Sequence, residues 1–242
     1  MLYDRGDKMR YMGSKNRISK ELVPIIQSYI TENTKGYIEP FVGGANVIDK
    51  IKCNKKIGYD IHKQLIALLN HVKETIEDVP ETITEEEYNK VKNNKSHYSD
   101  WYIGLVGFCA TFATKYFGGY ARDKKENKDV PCGRIRNIKK QSINLKDIKF
   151  ICQDYREIKD LKGYVIYCDP PYKNTTKYST GKFSYNEFYK WCKEMSKDNI
   201  VLISEYSMPE GFKCIWKKET KVYFESNKIY NNNRIEKLYI CE

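Results

Sequence analysis

Four short apolar runs, the first leading into a glycine turn and the other three closing on an acid, constrain this chain more than any other feature. They are GYIEPF (36–41), KKIGYD (55–60), IKFICQD (148–154) and YVIYCD (164–169). Runs of this length read as buried strands. A glycine turn, GGAN (43–46), follows the first and predicts a helix continuing through VIDKI. HKQLIALLNHVKETI (62–76) follows the second and carries apolar residues at helical spacing. Strand, helix, strand, helix is the unit of a parallel sheet. YNEFYKWCKEMSK (185–197) predicts another helix and NIVLISEY (199–206) a fifth strand. FKCIWKKETKVYF (212–224) and RIEKLYICE (234–242) suit an antiparallel end of the same sheet. Near the N-terminus, Ile18, Leu22, Ile25, Ile26 and Tyr29 predict a helix over 14–33, with Ser14 as its cap and Pro24 kinking or interrupting it.

The pattern changes after Ile76. Acidic and lysine-rich pieces lead to a strongly apolar helix candidate, WYIGLVGFCATFATKYF (101–117), and then to the basic stretch FGGYARDKKENKDVPCGRIRNIKKQ (117–141). The expected organisation is one α/β domain, residues 1–76 and 148–242, interrupted by a mainly helical insertion at 77–147. The 242 residues suffice for a sizeable core. No run of eighteen apolar residues occurs, and MLYDRGDKMRYMG lacks a signal-peptide core, so a cytoplasmic protein without a membrane partner is expected. The eight cysteines show no CxxC or CxH pair, and several sit inside apolar runs, so buried free thiols are expected. His62, His71 and His97 show no ligand spacing, and no metal is expected. The net charge of +11 suits either a polyanionic partner or an ordinary lysine-rich surface.

In open α/β sheets, ligands bind beyond the carboxyl ends of the strands. Four positions here meet that rule: the GGAN turn, Asp60, Asp154 and the DPPY run Asp169, Pro170, Pro171 and Tyr172. Gly43 and Gly44 let the backbone turn tightly and approach a ligand. Asp60, at the next strand end, can accept hydrogen bonds from two ribose hydroxyls. That pairing describes a nucleoside site without separating NAD from S-adenosylmethionine, although G-x-G-x-x-G is absent.

DPPY suits a demanding substrate, the exocyclic amine of adenine, whose lone pair is delocalised into the ring. Two acceptors aimed at its two N–H bonds favour a tetrahedral nitrogen and return the lone pair. Asp169 supplies one acceptor and the carbonyl of Pro170 the other, with Pro171 restricting the backbone that aims it. Tyr172 offers a face on which a flipped-out base stacks. Attack on a sulfonium methyl is an in-line displacement, in which positioning contributes most.

From about Arg10 to the C-terminus the chain resembles the Dam-type, D12 class of DNA adenine-N6 methyltransferases. RYMGSK (10–15) is similar to that family's N-terminal cofactor motif, which implies cofactor contacts from Tyr11, Gly13 and Lys15. EPFVGGANV matches its glycine motif, implying Glu39, Pro40, Phe41, Gly43 and Gly44. Asp60, Asp154 and Tyr155 match its ribose and adenine contacts, and YCDPPY its catalytic motif, with Asp169 also facing the cofactor. The order of motifs, with a long recognition insertion before DPPY, is more specific than any one of them. The resemblance implies a Rossmann-like class I methyltransferase sheet, S-adenosylmethionine as cofactor and double-stranded DNA as partner. A cognate restriction enzyme and a monomeric state are further expectations.

In the insertion, DVPCGR (129–134) resembles the Val-Pro-Phe-Gly stretch of relatives that methylate GATC, with Cys132 in place of the phenylalanine. Arg122, Lys124, Lys125, Arg134, Arg136, Lys139 and Lys140 alternate with Tyr120, Asn127 and Asn137, a mixture suited to phosphates and base edges. Asn174–Tyr178 are expected to form a lip over the flipped base. Rival readings are an RNA adenine methyltransferase, a DNA-binding relative without catalysis and a nicotinamide-dependent dehydrogenase. Asp169 argues against glutamine and N4-cytosine enzymes, which carry NPPY and SPPY.

Overall fold

The computed structural model describes residues 8–9, 11, 13–112, 115–123, 128–172, 183–220 and 234–242. Seven strands form one sheet: β1 (Gly36–Glu39), β2 (Lys56–Asp60), β3 (Ile148–Cys152), β4 (Tyr164–Cys168), β5 (Ile200–Ser204), β6 (Phe212–Thr220) and β7 (Arg234–Cys241). Their order is β3-β2-β1-β4-β5-β7-β6. The first five are mutually parallel, and β7 pairs antiparallel with both β5 and β6. The predicted antiparallel end is therefore present. The helices are α1 (Ser19–Ser28), α2 (Lys63–Glu74), α3 (Glu85–Asn93), α4 (Asp100–Cys109), α5 (Val130–Ser142) and α6 (Tyr185–Ser196).

Alternation along the central strands sends side chains into two cores, as a sheet covered on both faces requires. Tyr37, Val165, Tyr167 and Leu202 join the residues of α1, α2, α4 and α5. Ile38, Ile166, Cys168, Val201 and Ile203 join Phe188, Cys192 and Met195 of α6. Helices of the 77–147 stretch thus extend the core on one face of the sheet and do not enclose a core of their own.

Several local expectations are corrected. VIDKI forms only a 3₁₀ turn, Ile48–Lys50, because Asp49 is buried in ion pairs with Lys8 at 2.6 Å and Lys50 at 3.1 Å. Pro24 lies within an uninterrupted α1, where the lost hydrogen bond is offset by full burial of Leu22 and Ile26. Ser14 caps a separate 3₁₀ turn, Lys15–Arg17. The apolar run 101–117 stops being helical at Cys109. The aromatic rings of Tyr116 and Phe117 fold back over Gly107, where a Cβ would meet Tyr116 at 2.4 Å. Cys109, Cys168, Cys192 and Cys241 are buried free thiols, but Cys152 and Cys214 are exposed. No helix among the described residues is long and apolar enough to cross a membrane.

Candidate active site

Parallel pairing of β3, β2, β1 and β4 brings four carboxyl ends to one rim. Asp60 pairs with Cys152, two residues before Asp154, and Ile38 with Ile166, three before Asp169. β1 lies between β2 and β4, where the strand order reverses, which is the place such sheets open a crevice.

The glycine turn is wrapped around Asp60. Gly43 has φ +49°, in the left-handed region that favours glycine, and its N–H donates to Asp60 Oδ2 at 3.1 Å. The N–H of His62 donates to Oδ1 at 2.9 Å. Burial pushes the Asp60 carboxyl up to about 6, against the pull of these donors. A Cβ on Gly43 would sit 3.0 Å from the Tyr11 ring, so the N-terminal segment covers the turn directly. Tyr11 in turn packs on Phe108, with ring centroids 5.6 Å apart, and Phe108 on His62 and Tyr116.

A second aromatic group stands on the other side of the sheet. Phe41 lies 5.2 Å from Tyr155 and 5.8 Å from Phe183. Asp154 caps the turn at Tyr155 and accepts from Arg156 at 3.0 and 2.7 Å, which holds its carboxyl below the usual range. Glu39 is 3% exposed and accepts from the Tyr37 hydroxyl at 2.7 Å. Burial pushes the Glu39 carboxyl well up, outweighing that hydrogen bond, and its carboxylate neighbours Asp49 and Asp169 add to the rise.

At the end of β4 the DPPY run is clamped from three directions. Lys15 Nζ lies 2.8 Å from Asp169 Oδ1, 4.0 Å from Glu236 Oε2 and 4.3 Å from the centre of the Tyr172 ring. The Tyr172 hydroxyl donates to Glu236 Oε2 at 3.0 Å, and its ring meets Tyr206 edge-on at 4.5 Å. The Tyr185 hydroxyl donates to the Pro171 carbonyl at 2.8 Å, fixing the turn from α6. Pro170 is buried. Burial pushes Asp169 up to about 6, with Lys15 pulling it back and Glu236 adding to the rise. For Lys15, burial pulls down, but the two carboxylates prevail and its pKa is raised. Tyr172 is only 8% exposed, so the open face that base stacking needs is covered in this arrangement.

Glu236 and Gln141 are among the residues at the site not anticipated from sequence. Glu236 enters from β7, which begins at this rim because it runs antiparallel to β5. Gln141, fully buried on α5, accepts from Met9 N at 2.8 Å and donates to Gly44 O at 3.0 Å and Ala45 O at 3.2 Å. It fastens the glycine turn to the N-terminal segment. Its signal was a polar residue on the stripe Ile135, Ile138, Gln141 that otherwise points inward.

The basic residues of the insertion divide. Arg122 forms a two-pronged pair with Glu85, Lys139 pairs with Glu81 at 2.5 Å, and Arg136 is exposed near Cys132. Asn137 is half-buried on α5. Tyr120 donates its hydroxyl to Ile83 O at 2.8 Å. Arg134 departs from the expected solvent-facing role. It is 8% exposed and donates to the carbonyls of Cys109 and Thr111, closing the end of α4. The cause is local: Asp129 caps α5 at Cys132 N and Pro131 stands in its first turn, which turns residue 134 inward. Lys124, Lys125, Asn127 and Asn174–Tyr178 lie outside the described residues.

Residues 11–238 match the D12 class N6 adenine-specific DNA methyltransferase family. The chain belongs to this family. It is an adenine-specific DNA methyltransferase, with S-adenosylmethionine as the cofactor the family implies. The type II methyltransferase M.MjaIII of Methanocaldococcus jannaschii is 26% identical, over 96% of this chain and 86% of its own. M1.LlaDCHI of Lactococcus lactis, also a type II methyltransferase, is 24% identical over 78% of each chain. The DNA adenine methylase of Escherichia coli is 26% identical over 62% of this chain and 63% of its own. The donor set around β1 and β2 fits such a cofactor. A carboxylate suits the ribose hydroxyls, flat apolar rings the adenine, and a backbone without Cβ the methionine portion.

Proposed function

We propose that this methyltransferase acts on the N6 of an adenine flipped out of double-stranded DNA at a specific sequence. The observation that carries the reading is the clamped acid of DPPY at the reversal of strand order. Asp169 is paired with Lys15, which in turn faces Glu236 and the Tyr172 ring. Asp60 would hold the ribose, Phe41 and Tyr155 the adenine, and Tyr11, Gly13, Glu39, Pro40, Gly43 and Gly44 the methionine end, with Asp154 beside the adenine. Bound there, the cofactor supplies a sulfonium methyl. Transfer of that methyl to N6 would leave the carbon–sulfur electron pair on sulfur.

The chain's own groups supply the rest. Asp169 accepts one N6–H and the Pro170 carbonyl the other, so the nitrogen lone pair is aimed at the methyl. The same carboxylate is placed to take the proton the amine sheds. Pro171, held through its carbonyl by Tyr185, fixes the direction of these acceptors. Tyr172 stacks on the base. Pre-set acceptors of this kind lower the barrier because they need no reorganisation during reaction.

Residues 77–147 are the proposed target-recognition insertion, with Tyr120, Arg122, Arg136, Asn137 and Lys139 as its DNA-contacting residues. Arg134 acts there as a buried support. Relatives named as type II methyltransferases favour a place in a restriction–modification pair. The resemblance of DVPCGR to the Val-Pro-Phe-Gly stretch makes GATC the first sequence to test. With tritiated S-adenosylmethionine and duplex DNA, wild-type protein should label the DNA. Asp169→Ala should lose that labelling while still binding cofactor, and an active variant refutes the assigned chemistry.

A further inference from the structure

The Lys15 ammonium occupies the place that the proposed chemistry gives to the target amine. It donates to Asp169 as an N6 amine would, and it lies over the ring on which the base would stack. Lys15 is 7% and Tyr172 8% exposed, so neither group is open to a base as the protein stands. Glu236 braces the arrangement, touching the lysine from one side and the Tyr172 hydroxyl from the other. A buried ammonium of this kind cannot simply be pushed into apolar surroundings; it needs another anion or acceptor to go to.

We propose that Lys15 is a placeholder that holds the base cradle until S-adenosylmethionine draws it away, so that cofactor must bind before the base enters. The inference rests on the function proposed above. Two charges on the cofactor drive the exchange. An in-line transfer puts the methyl between sulfur and N6, so the sulfonium comes close to Asp169, where a second cation is repelled. The cofactor's α-carboxylate meanwhile offers the lysine an anionic partner. The backbone of Lys15 is fixed in a 3₁₀ turn capped by Ser14, but its four-carbon stem lets the head swing about that anchor. Gly13 O, already 3.3 Å from Nζ, is a carbonyl it can keep throughout.

The test uses full-length protein and duplex DNA carrying 2-aminopurine at a mapped target adenine. Fluorescence reports unstacking of the base, and anisotropy of the same duplex confirms that DNA is bound in every arm. Wild-type protein should give little fluorescence rise alone and a several-fold rise with sinefungin, an unreactive cofactor analogue. Lys15→Met, which keeps the stem and removes the charge, should give the several-fold rise without any cofactor, and Lys15→Gln should do the same. An equal rise for wild type with and without sinefungin overturns the proposal, and these two arms stand even if neither variant folds. It is also overturned if folded Lys15→Met still needs the analogue. Failure here with DNA still methylated at adenine rejects the placeholder alone, whereas absence of N6-methyladenine rejects the underlying function.

Discussion

Removing the Gln141 side chain should loosen the cofactor site from a distance. This amide is fully buried and sits on α5, outside every motif that marks the family. Gln141→Ala leaves the Met9 N–H without its 2.8 Å acceptor, takes the 3.0 Å donor from the Gly44 carbonyl, and takes the 3.2 Å donor from the Ala45 carbonyl, which keeps the Asp49 N–H at 3.4 Å. A buried group stranded in this way costs about 1–3 kcal/mol, and a net hydrogen bond about 1 kcal/mol. The three losses share one side chain and partly relax together, so a total of about 3 kcal/mol is expected. Domains of ordinary stability have about 5–15 kcal/mol, so the variant should still fold. Urea unfolding measures the loss. The glycine turn must then be re-ordered on binding, and calorimetry with S-adenosylhomocysteine should show about tenfold weaker affinity, equivalent to ~1.4 kcal/mol. Ser28→Ala, which removes an exposed local bond to Ile25 O at the end of α1, is the control and should change stability by less than about 0.5 kcal/mol. A Gln141→Ala protein as stable as that control, with unchanged affinity, refutes the fastening role.

Other outcomes follow from the same geometry. Asp169 and Asp60 are raised to about 6 by burial, so both become neutral as pH falls through that value. kcat/KM should therefore fall on the acid side near pH 6. The limb for kcat should lie lower, because a bound sulfonium favours the carboxylate; a flat profile from pH 5 to 8 contradicts this. Arg122→Ala should weaken DNA binding and reduce its salt slope by about one, with the melting temperature unchanged. Arg134→Ala should cost about 2–4 kcal/mol of stability, since it strands the Cys109 and Thr111 carbonyls. If Arg134→Ala is stable and only DNA affinity drops, the buried role assigned to it is wrong.

Much of the sheet was legible in the sequence because strands covered on both faces read as plain apolar runs, and their order along the chain set the rim. The Asp60 and Asp169 positions followed from that rim alone. What escaped depended on tertiary contacts. The apolar run 101–117 carries no sign that Gly107 admits the rings of Tyr116 and Phe117 and so ends the helix. Arg134 resembles its basic neighbours until the capped start of α5 turns it inward. Glu236 reads as one more polar residue of an alternating strand. Only the antiparallel course of β7 beside β5 carries it to the rim at the carboxyl ends of the parallel strands.

The central claim is tested most directly by incubating the protein and S-adenosylmethionine with methylation-free duplex DNA and mapping modified bases by single-molecule sequencing. N6-methyladenine at one defined sequence, absent with Asp169→Ala, is the predicted result. Unmodified DNA, modified cytosine, or the same adenines modified by the Asp169→Ala protein would contradict it.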